Sequence, residues 1–410
     1  MNEKQQGNPP TEFEPKNKIS RRDFLKLSGR ALGVLGLKAL GVDRIPFAEA
    51  AKSPEMQSLS RKEHFKPFNS GNAEWQYVEF QYKNDQREQI GITVSMSELT
   101  DPATGLKTQQ LLVMRHNLNT KETQKNTYDG TRSFDESTSA YTFEDEGGNK
   151  LAELSYNEAN DSYSMKIQTI EFNSNKIDDG GLVLNPQGNL IPVSKDGNFT
   201  VASFDGGRID TNYFADHVRV ERQNGDVVGY GRRDSENLEL EGSAPLQLDI
   251  DHTWVHISGD LKDGKQVYIT VWGSKTGGDY KFSDIMVVDP NTGGIEEMIQ
   301  LNDEDGGFDL NFEPTLREQE TPPDQTKRSE YQMAHGGKVL AKLNGNNLFE
   351  LEIDGNPGQI IDGKGMLNMI EAHGRLISGS VLGTPIASGN SAIWETTNEW
   401  YSSFLPLITK

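Results

Sequence analysis

Two histidines and a tryptophan fall on one face of a single predicted strand. Residues 246–257 read LQLDIDHTWVHI. A period of two puts Leu246, Leu248, Ile250, His252, Trp254 and His256 on one side of it. Gln247, Asp249, Asp251 and Thr253 take the other side, ahead of Val255 and Ile257. An apolar wall that turns to His-Trp-His halfway along suits the lining of a ligand cavity. Joint metal binding by the two imidazoles does not fit, because on a regular strand His252 and His256 stand ~13 Å apart. Zinc holds its nitrogen ligands at about 2.0–2.1 Å. Plainer alternatives are a core histidine satisfied by a carbonyl at position 252 and simple packing at Trp254. No metal is expected here. No Gly-x-Ser-x-Gly, P-loop or dinucleotide-binding glycine pattern stands in a suitable context, so any chemistry is expected to run without a cofactor. Asp303-Glu304-Asp305-Gly306-Gly307 lacks the spacing to a closing Glu that a calcium loop requires, and reads as a solvated acidic turn.

The elements that must position these residues are strands. Trp75, Tyr77 and Glu79 alternate with Gln76, Val78 and Phe80. The same period recurs in Ile90, Ile92 and Val94, then in Leu111, Val113 and, less cleanly, Arg115. Asn224-Gly225, Asp263-Gly264, Asp354-Gly355 and Asp196-Gly197 supply the turn chemistry of tight hairpins. Helices are scarce: Tyr331 to Leu343 admits one short turn, limited by Gly336-Gly337. Residues 51–73 read as a polar linker or arm. The charged run Gly231 to Pro245 reads as a boundary, and Pro314 to Lys327 as a long loop within the second half. No short repeat supports a propeller or solenoid. The expected fold is all-β, with an eight-to-ten-strand antiparallel barrel or sandwich in each half, 74–240 and 241–410.

Composition narrows the function classes. The 410 residues carry 41 Lys+Arg against 62 Asp+Glu, a net charge of -21. A surface this acidic repels phosphate backbones, so no nucleic-acid partner is expected. The absence of cysteine removes disulfides, thiolate nucleophiles and lipid-bearing cysteine anchors. At the front, Ser20-Arg21-Arg22-Asp23-Phe24-Leu25-Lys26 reads as a twin-arginine export signal, followed by a weakly apolar stretch and an Ala48-Glu49-Ala50 cleavage site. That stretch, Leu27 to Val42, contains Arg30 and Lys38 and is shorter than the roughly 20 apolar residues of a spanning helix. Residues 1–50 therefore read as a removable signal that engages the twin-arginine machinery through Arg21 and Arg22. The mature protein is expected in the periplasm or outside the cell, with no permanent membrane anchor.

Several short motifs, in order, resemble one family. Glu74-Trp75-Gln76-Tyr77 is similar to the Glu-Trp-Trp-Tyr opening of the hydroxyneurosporene synthase family, which includes carotenoid 1,2-hydratases and AttH-type lipocalin-like secreted proteins. Asp251-His252-Thr253-Trp254 resembles its central Asp-His-x-Trp motif, and Gly259 to Lys265 the hairpin that follows. Ile370-Glu371-Ala372-His373-Gly374 and Ile393-Trp394-Glu395-Thr396 resemble its closing strands. Departures are Gln76 in place of an aromatic residue, Val255 in place of a glycine, and no carboxylate in Tyr268-Ile269-Thr270-Val271-Trp272, where the hydratases use an acid. The resemblance implies two packed lipocalin-like β-barrels with a site for a small apolar, isoprenoid-like ligand in or between them. Some relatives add water across an isoprenoid double bond, fungal ones catalyse cycloadditions, and others have no known reaction. On a catalytic reading His252 carries the proton and Asp251 orients a neighbouring group. Trp254 and Trp75 then form an aromatic wall for a developing cation, with Tyr77, His256 and Trp272 lining the site. On a carrier reading the same tryptophans only line a pocket. A carbohydrate-acting β-sandwich, with two carboxylates ~5–9.5 Å apart, is the third alternative.

Overall fold

Val78, Phe80 and Tyr82 alternate along one strand, Ile90, Ile92, Val94 and Met96 along the next, and Leu111 and Val113 along a third. All of them point into one core. The computed structural model describes residues 60–397, apart from 69–70, 101–103, 168–170, 173–174, 177–181, 193–197, 205–206, 243–251, 275–279, 303–304, 320–330, 356–358, 363–367 and 388–389. The expected export signal, and Asp251, lie outside the described residues.

The first half contributes β1 (Ala73–Lys83), β2 (Gln89–Thr100), β3 (Lys107–Asn117), β4 (Glu122–Asp135), β5 (Ala140–Asp145), β6 (Lys150–Asn157) and β7 (Ser162–Ile167). A small hairpin, β8 (Glu171–Phe172) and β9 (Asn175–Lys176), leads to β10 (Leu182–Pro192), β11 (Asn198–Phe204), β12 (Gly207–Glu221) and β13 (Val227–Gly242). The second half contributes β14 (His252–Asp260), β15 (Gln266–Ser274), β16 (Tyr280–Val288), β17 (Ile295–Asn302), β18 (Phe308–Gln319) and β19 (Tyr331–Leu343). It ends with β20 (Asn346–Gly355), β21 (Gln359–Asp362), β22 (Asn368–Val381), β23 (Thr384–Pro385) and β24 (Ser391–Thr397). Every pairing among the described strands is antiparallel. In the first sheet β10 pairs with both β7 and β12, which closes a barrel. The second runs β17-β16-β15-β14-β24-β22-β20-β19-β18 and is nearly closed. The all-β, two-barrel expectation is met.

Local readings differ from the structure at four places. Tyr331 to Leu343 is the strand β19 with no helical turn. Its glycine pair serves close strand packing instead. Gly336 and Gly337 have φ of 121° and 146°, and a Cβ would meet Ile353 O at 2.4 Å and Glu313 O at 2.3 Å respectively. The charged run from Gly231 forms much of β13, because its charges alternate and one face of them is paired inside the protein. Pro314 lies within β18, where the register shifts between Pro314 and Leu316.

The stretch expected as a linker or arm contains a short helix, Arg61–His64, whose Ser60 side chain accepts from Glu63 N. Arg61 ties it down through Asp216 at 2.8 Å and Asp161 at 2.7 Å. Phe65 follows and is buried in the first barrel, against Tyr141, Tyr156 and Tyr163. The Arg233 guanidinium lies 4.9 Å from its ring centroid and donates to Gln76 Oε1 at 2.5 Å. Gln76 in turn donates to Tyr141 Oη at 3.1 Å. The residue that departs from an aromatic opening is therefore part of a polar rod inside the barrel.

Candidate functional site

Strand β1 buries both of its faces. Val78 and Phe80 enter the first barrel, while Trp75, Tyr77, Glu79 and Gln81 turn towards the second. Register extends that outer face across neighbouring strands. Glu236, Asp234 and Arg232 on β13 stand opposite Trp75, Tyr77 and Glu79. Tyr213 and His217 on β12 stand opposite Glu236 and Arg232. Thr93 on β2 stands opposite Glu79. From the second barrel, Trp254 and His256 of β14 pair with Trp272 and Thr270 of β15, and Thr270 with Asp284 of β16. On the other flank Trp254 and His256 pair with Glu395 and Ile393 of β24, and these with Glu371 and His373 of β22. The two outer faces meet in a buried seam.

One end of the seam is apolar. Ala73, Ile191, Ile209, Tyr213 and Leu238 of the first barrel pack with Trp254, Trp272, Phe282 and Ile393 of the second, and partly exposed Trp75, Leu99, Leu240 and Met298 border them. The rest is polar and closely bonded. Tyr77 and Thr93 both donate to Glu371, and Thr93 Oγ1 lies 2.8 Å from His373 Nε2. Gln81 Nε2 donates to Gly374 O at 3.0 Å and Ala392 O at 2.9 Å. Arg232 donates to Thr270 across the seam, to Asp234 Oδ1 at 2.5 Å and to Tyr213 Oη at 3.0 Å. Tyr213 itself donates to Asp234 Oδ2 at 2.7 Å.

A relay of three side chains crosses the same seam. Asp284 Oδ2 lies 2.5 Å from His217 Nε2, and His217 Nδ1 lies 3.3 Å from His256 Nε2. If Asp284 accepts, His217 carries its hydrogen on Nε2 and offers the Nδ1 lone pair to the Nε2–H of His256. That tautomer leaves His256 Nδ1 as a lone pair, and this atom is buried with no partner among the described residues. Burial first, then His217 and Arg232, lower the His256 pKa well below its ordinary value. It is a neutral base.

Glu79 is its opposite. The residue is fully buried and neither carboxyl oxygen has a hydrogen-bond partner among the described residues. Burial first, then the neighbouring Glu371 and Asp234, push its pKa well above the usual carboxylate range against the pull of Arg232. Glu79 is therefore a carboxylic acid with a proton to give. A displaced acid and a displaced base near one guanidinium form the kind of pair that proton-transfer sites use.

Of the residues singled out from sequence, Trp254, His256, Tyr77, Trp75 and Trp272 all lie on this seam. Trp254 stacks beside His256, with ring centroids 6.1 Å apart, and the Arg232 guanidinium covers its ring at 4.9 Å. A resident cation already occupies that π face, which changes what Trp254 can stabilise. His252 opens β14 opposite Ser274 in the register. The stretch without a carboxylate, Tyr268 to Trp272, faces one on the next strand through the Thr270 and Asp284 pair. Sequence reasoning gave no site role to Glu79, His217, Arg232, Asp284, Glu371, His373 or His116. Their signal was parity: ionisable residues alternating with apolar ones on strands whose second face is also buried.

No family model matches the chain, and no curated protein matches it. Solved structures do. The AttH-assigned protein NE1406 from Nitrosomonas europaea superposes with a TM-score of 0.53 at 14% identity, covering 84% of this chain and 98% of its own. Kievitone hydratase from Nectria haematococca gives 0.46 at 14% identity, covering 85% and 95%, and CghA gives 0.46 at 10%, covering 82% and 93%. At such identities the likeness speaks for the fold, and by fold this chain is a lipocalin-like two-barrel protein, as NE1406 is.

Proposed function

We propose that the protein transfers protons to and from a small apolar, isoprenoid-like molecule held at the seam, in a hydration or cyclisation without a cofactor. The observation that carries this reading is Glu79, a buried carboxyl with no partner for either oxygen. The apolar cluster bordered by Trp75, Leu99, Leu240 and Met298 supplies the binding surface. Glu79 donates the proton, and His256, oriented by His217 and Asp284, receives one from the attacking water. His252, two residues before Trp254, remains a proposed second proton carrier, with Asp251 proposed to orient a neighbouring group.

Charge refines the substrate. A bare carbocation over Trp254 would face Arg232 on the same ring. Negative charge growing on a conjugated carbonyl is favoured by that guanidinium, so a double bond conjugated to a carbonyl suits the seam better than an isolated alkene. β-Ionone and farnesol make the comparison. In D2O the wild type is expected to incorporate deuterium into β-ionone at carbon and to act on farnesol more slowly. Glu79→Gln should still quench tryptophan fluorescence on binding while losing roughly 10²–10⁴-fold in turnover. Turnover unchanged in Glu79→Gln sinks the assignment, and loss in His252→Ala alone would move the acid role there.

A carrier reading has one observation of its own. On the face of β24 and β16 turned away from the seam, Trp394 Nε1 and Ser283 Oγ are buried without partners among the described residues. A ligand in the second barrel would satisfy them, and quenching lost in Trp394→Phe but kept in Glu79→Gln would favour that reading. Export by the twin-arginine route rests on the sequence of Ser20 to Lys26. Cell fractionation of an Arg21→Lys, Arg22→Lys variant should find uncleaved precursor inside the cell.

A further inference from the structure

Elsewhere on the seam, three buried side chains from both barrels converge, none of which gives or takes a proton in the proposed transfer. They are His116 of β3, and Glu371 and His373 of β22. One ligand atom from each lies within 4.8 Å of the others. All three residues are fully buried, and the two imidazole rings lie 4.5 Å apart. Glu371 Oε1 and His373 Nε2 are already 3.3 Å apart. Tetrahedral ligands at about 2.0–2.1 Å from an ion are separated by roughly 3.3 Å, so this edge fits as it stands.

For His116 and Glu371 the outer contacts are those of ligands held in position. His116 uses Nδ1 towards Thr123 Oγ1 at 3.1 Å, and its Nε2 is buried with no partner among the described residues. His373 Nδ1 is likewise buried and unpartnered. Glu371 accepts at Oε2 from Tyr77 and at Oε1 from Thr93. Ligating histidines commonly have the second ring nitrogen engaged, and ligating carboxylates are hydrogen-bonded in turn. Gly91 opens the space for this arrangement, since a Cβ there would meet His373 Nδ1 at 2.4 Å. An uncompensated orphan nitrogen in such a place costs about 1–3 kcal/mol. A bound cation would give His116 Nε2 a partner.

We propose that His116, Glu371 and His373 form a site for one divalent transition-metal ion of the zinc type, which clamps the two barrels together. Two imidazoles and a carboxylate select a first-row ion over calcium or magnesium, which prefer all-oxygen shells. Three protein ligands leave a position for water or another donor. The proposal goes beyond the proton-transfer reading and stands without it, because its test does not read turnover.

The full-length protein would be prepared metal-free and titrated with Co2+, then with Zn2+. The expected result is a visible Co2+ absorption that saturates at about one ion per chain, is displaced by Zn2+, and accompanies a rise in Tm with metal concentration. His116→Gln and Glu371→Gln should lose the absorption, while His217→Gln, on the same seam but outside the cluster, keeps it. Thr123→Ala should keep the spectrum and weaken affinity by roughly 10–100-fold. Should the ligand variants fail to fold, the coordination shell of the wild-type Co2+ form, read by X-ray absorption, decides instead. A shell of two imidazoles and oxygen supports the site. No saturable Co2+ spectrum in folded wild type, or one that survives His116→Gln and Glu371→Gln, overturns it, and the cluster is then a hydrogen-bonded strut only.

Discussion

Glu79 and His256 are both driven towards their uncharged forms by the same cause, loss of water, yet the consequences are opposite. The acid keeps a proton it would otherwise shed, and the base keeps a lone pair it would otherwise protonate in mild acid. Asp284 acts through His217 and is a positioning residue. Asp284→Asn should lower kcat by on the order of 10²-fold with little change in KM, and rapid-mixing kinetics on β-ionone would separate the two. Glu236 offers a test of the electrostatics that needs no substrate. Burial first, with Glu395 and Asp234 adding repulsion, pushes its carboxyl up to about 8, against an ordinary value of 4.5. Below pH 4.5 it is protonated in folded and unfolded chains alike. Between 4.5 and about 8 the unfolded chain ionises while the folded one stays neutral, so its contribution to stability is lost as pH rises through that window. Glu236→Gln should therefore gain in Tm relative to wild type from pH 5 to pH 8, and an equal difference at both pH values would show that Glu236 ionises normally.

At the scale of elements, β1 explains why much of the site was hidden in the sequence. Its alternation was plain, and so was the split of Trp75, Tyr77 and Glu79 from Val78 and Phe80. What alternation could not say is which face enters a barrel, because both are buried. The His-Trp-His face of β14 was legible because its residues share one strand. The relay and the histidine-glutamate cluster are assembled from β3, β12, β14, β16 and β22, and pairing between such distant strands is set by packing of whole sheets. Glu371-Ala372-His373 stood in view as a strand motif, but its partner His116 lies in the other barrel. Gly91 makes this packing testable. Gly91→Ala drives a Cβ into His373, with contacts at 2.4 and 2.6 Å. It should cost about 1–3 kcal/mol in urea unfolding. Gly306→Ala, with nothing within 4 Å of the new methyl, should be close to neutral.

The whole molecule is two barrels joined through a face that carries charge as well as apolar surface. Arg232 is the side chain on which that junction turns: fully buried, bonded to Thr270 of the other barrel, and balanced by Asp234 two residues on. Burial pulls its pKa down, but Asp234 and then Tyr213 outweigh that and raise it above the ordinary value, so it stays charged. Replacing it removes the ion-pair partner of Asp234 inside the protein and leaves that carboxylate the Tyr213 hydrogen bond. Arg232→Met should therefore destabilise by about 3–5 kcal/mol, while Arg232→Met with Asp234→Leu should recover much of the loss, since the isolated charge is what costs. Urea melts of both variants, followed by tryptophan fluorescence and by far-ultraviolet circular dichroism, check this. Both charges are buried, so the penalty should be nearly the same at low and high salt. A surface pair in so acidic a protein would behave otherwise. A penalty that fades with added salt would mean that the Arg232–Asp234 pair is open to bulk solvent, and the displaced protonation states of Glu79 and His256, which rest on the same burial, would fall with it.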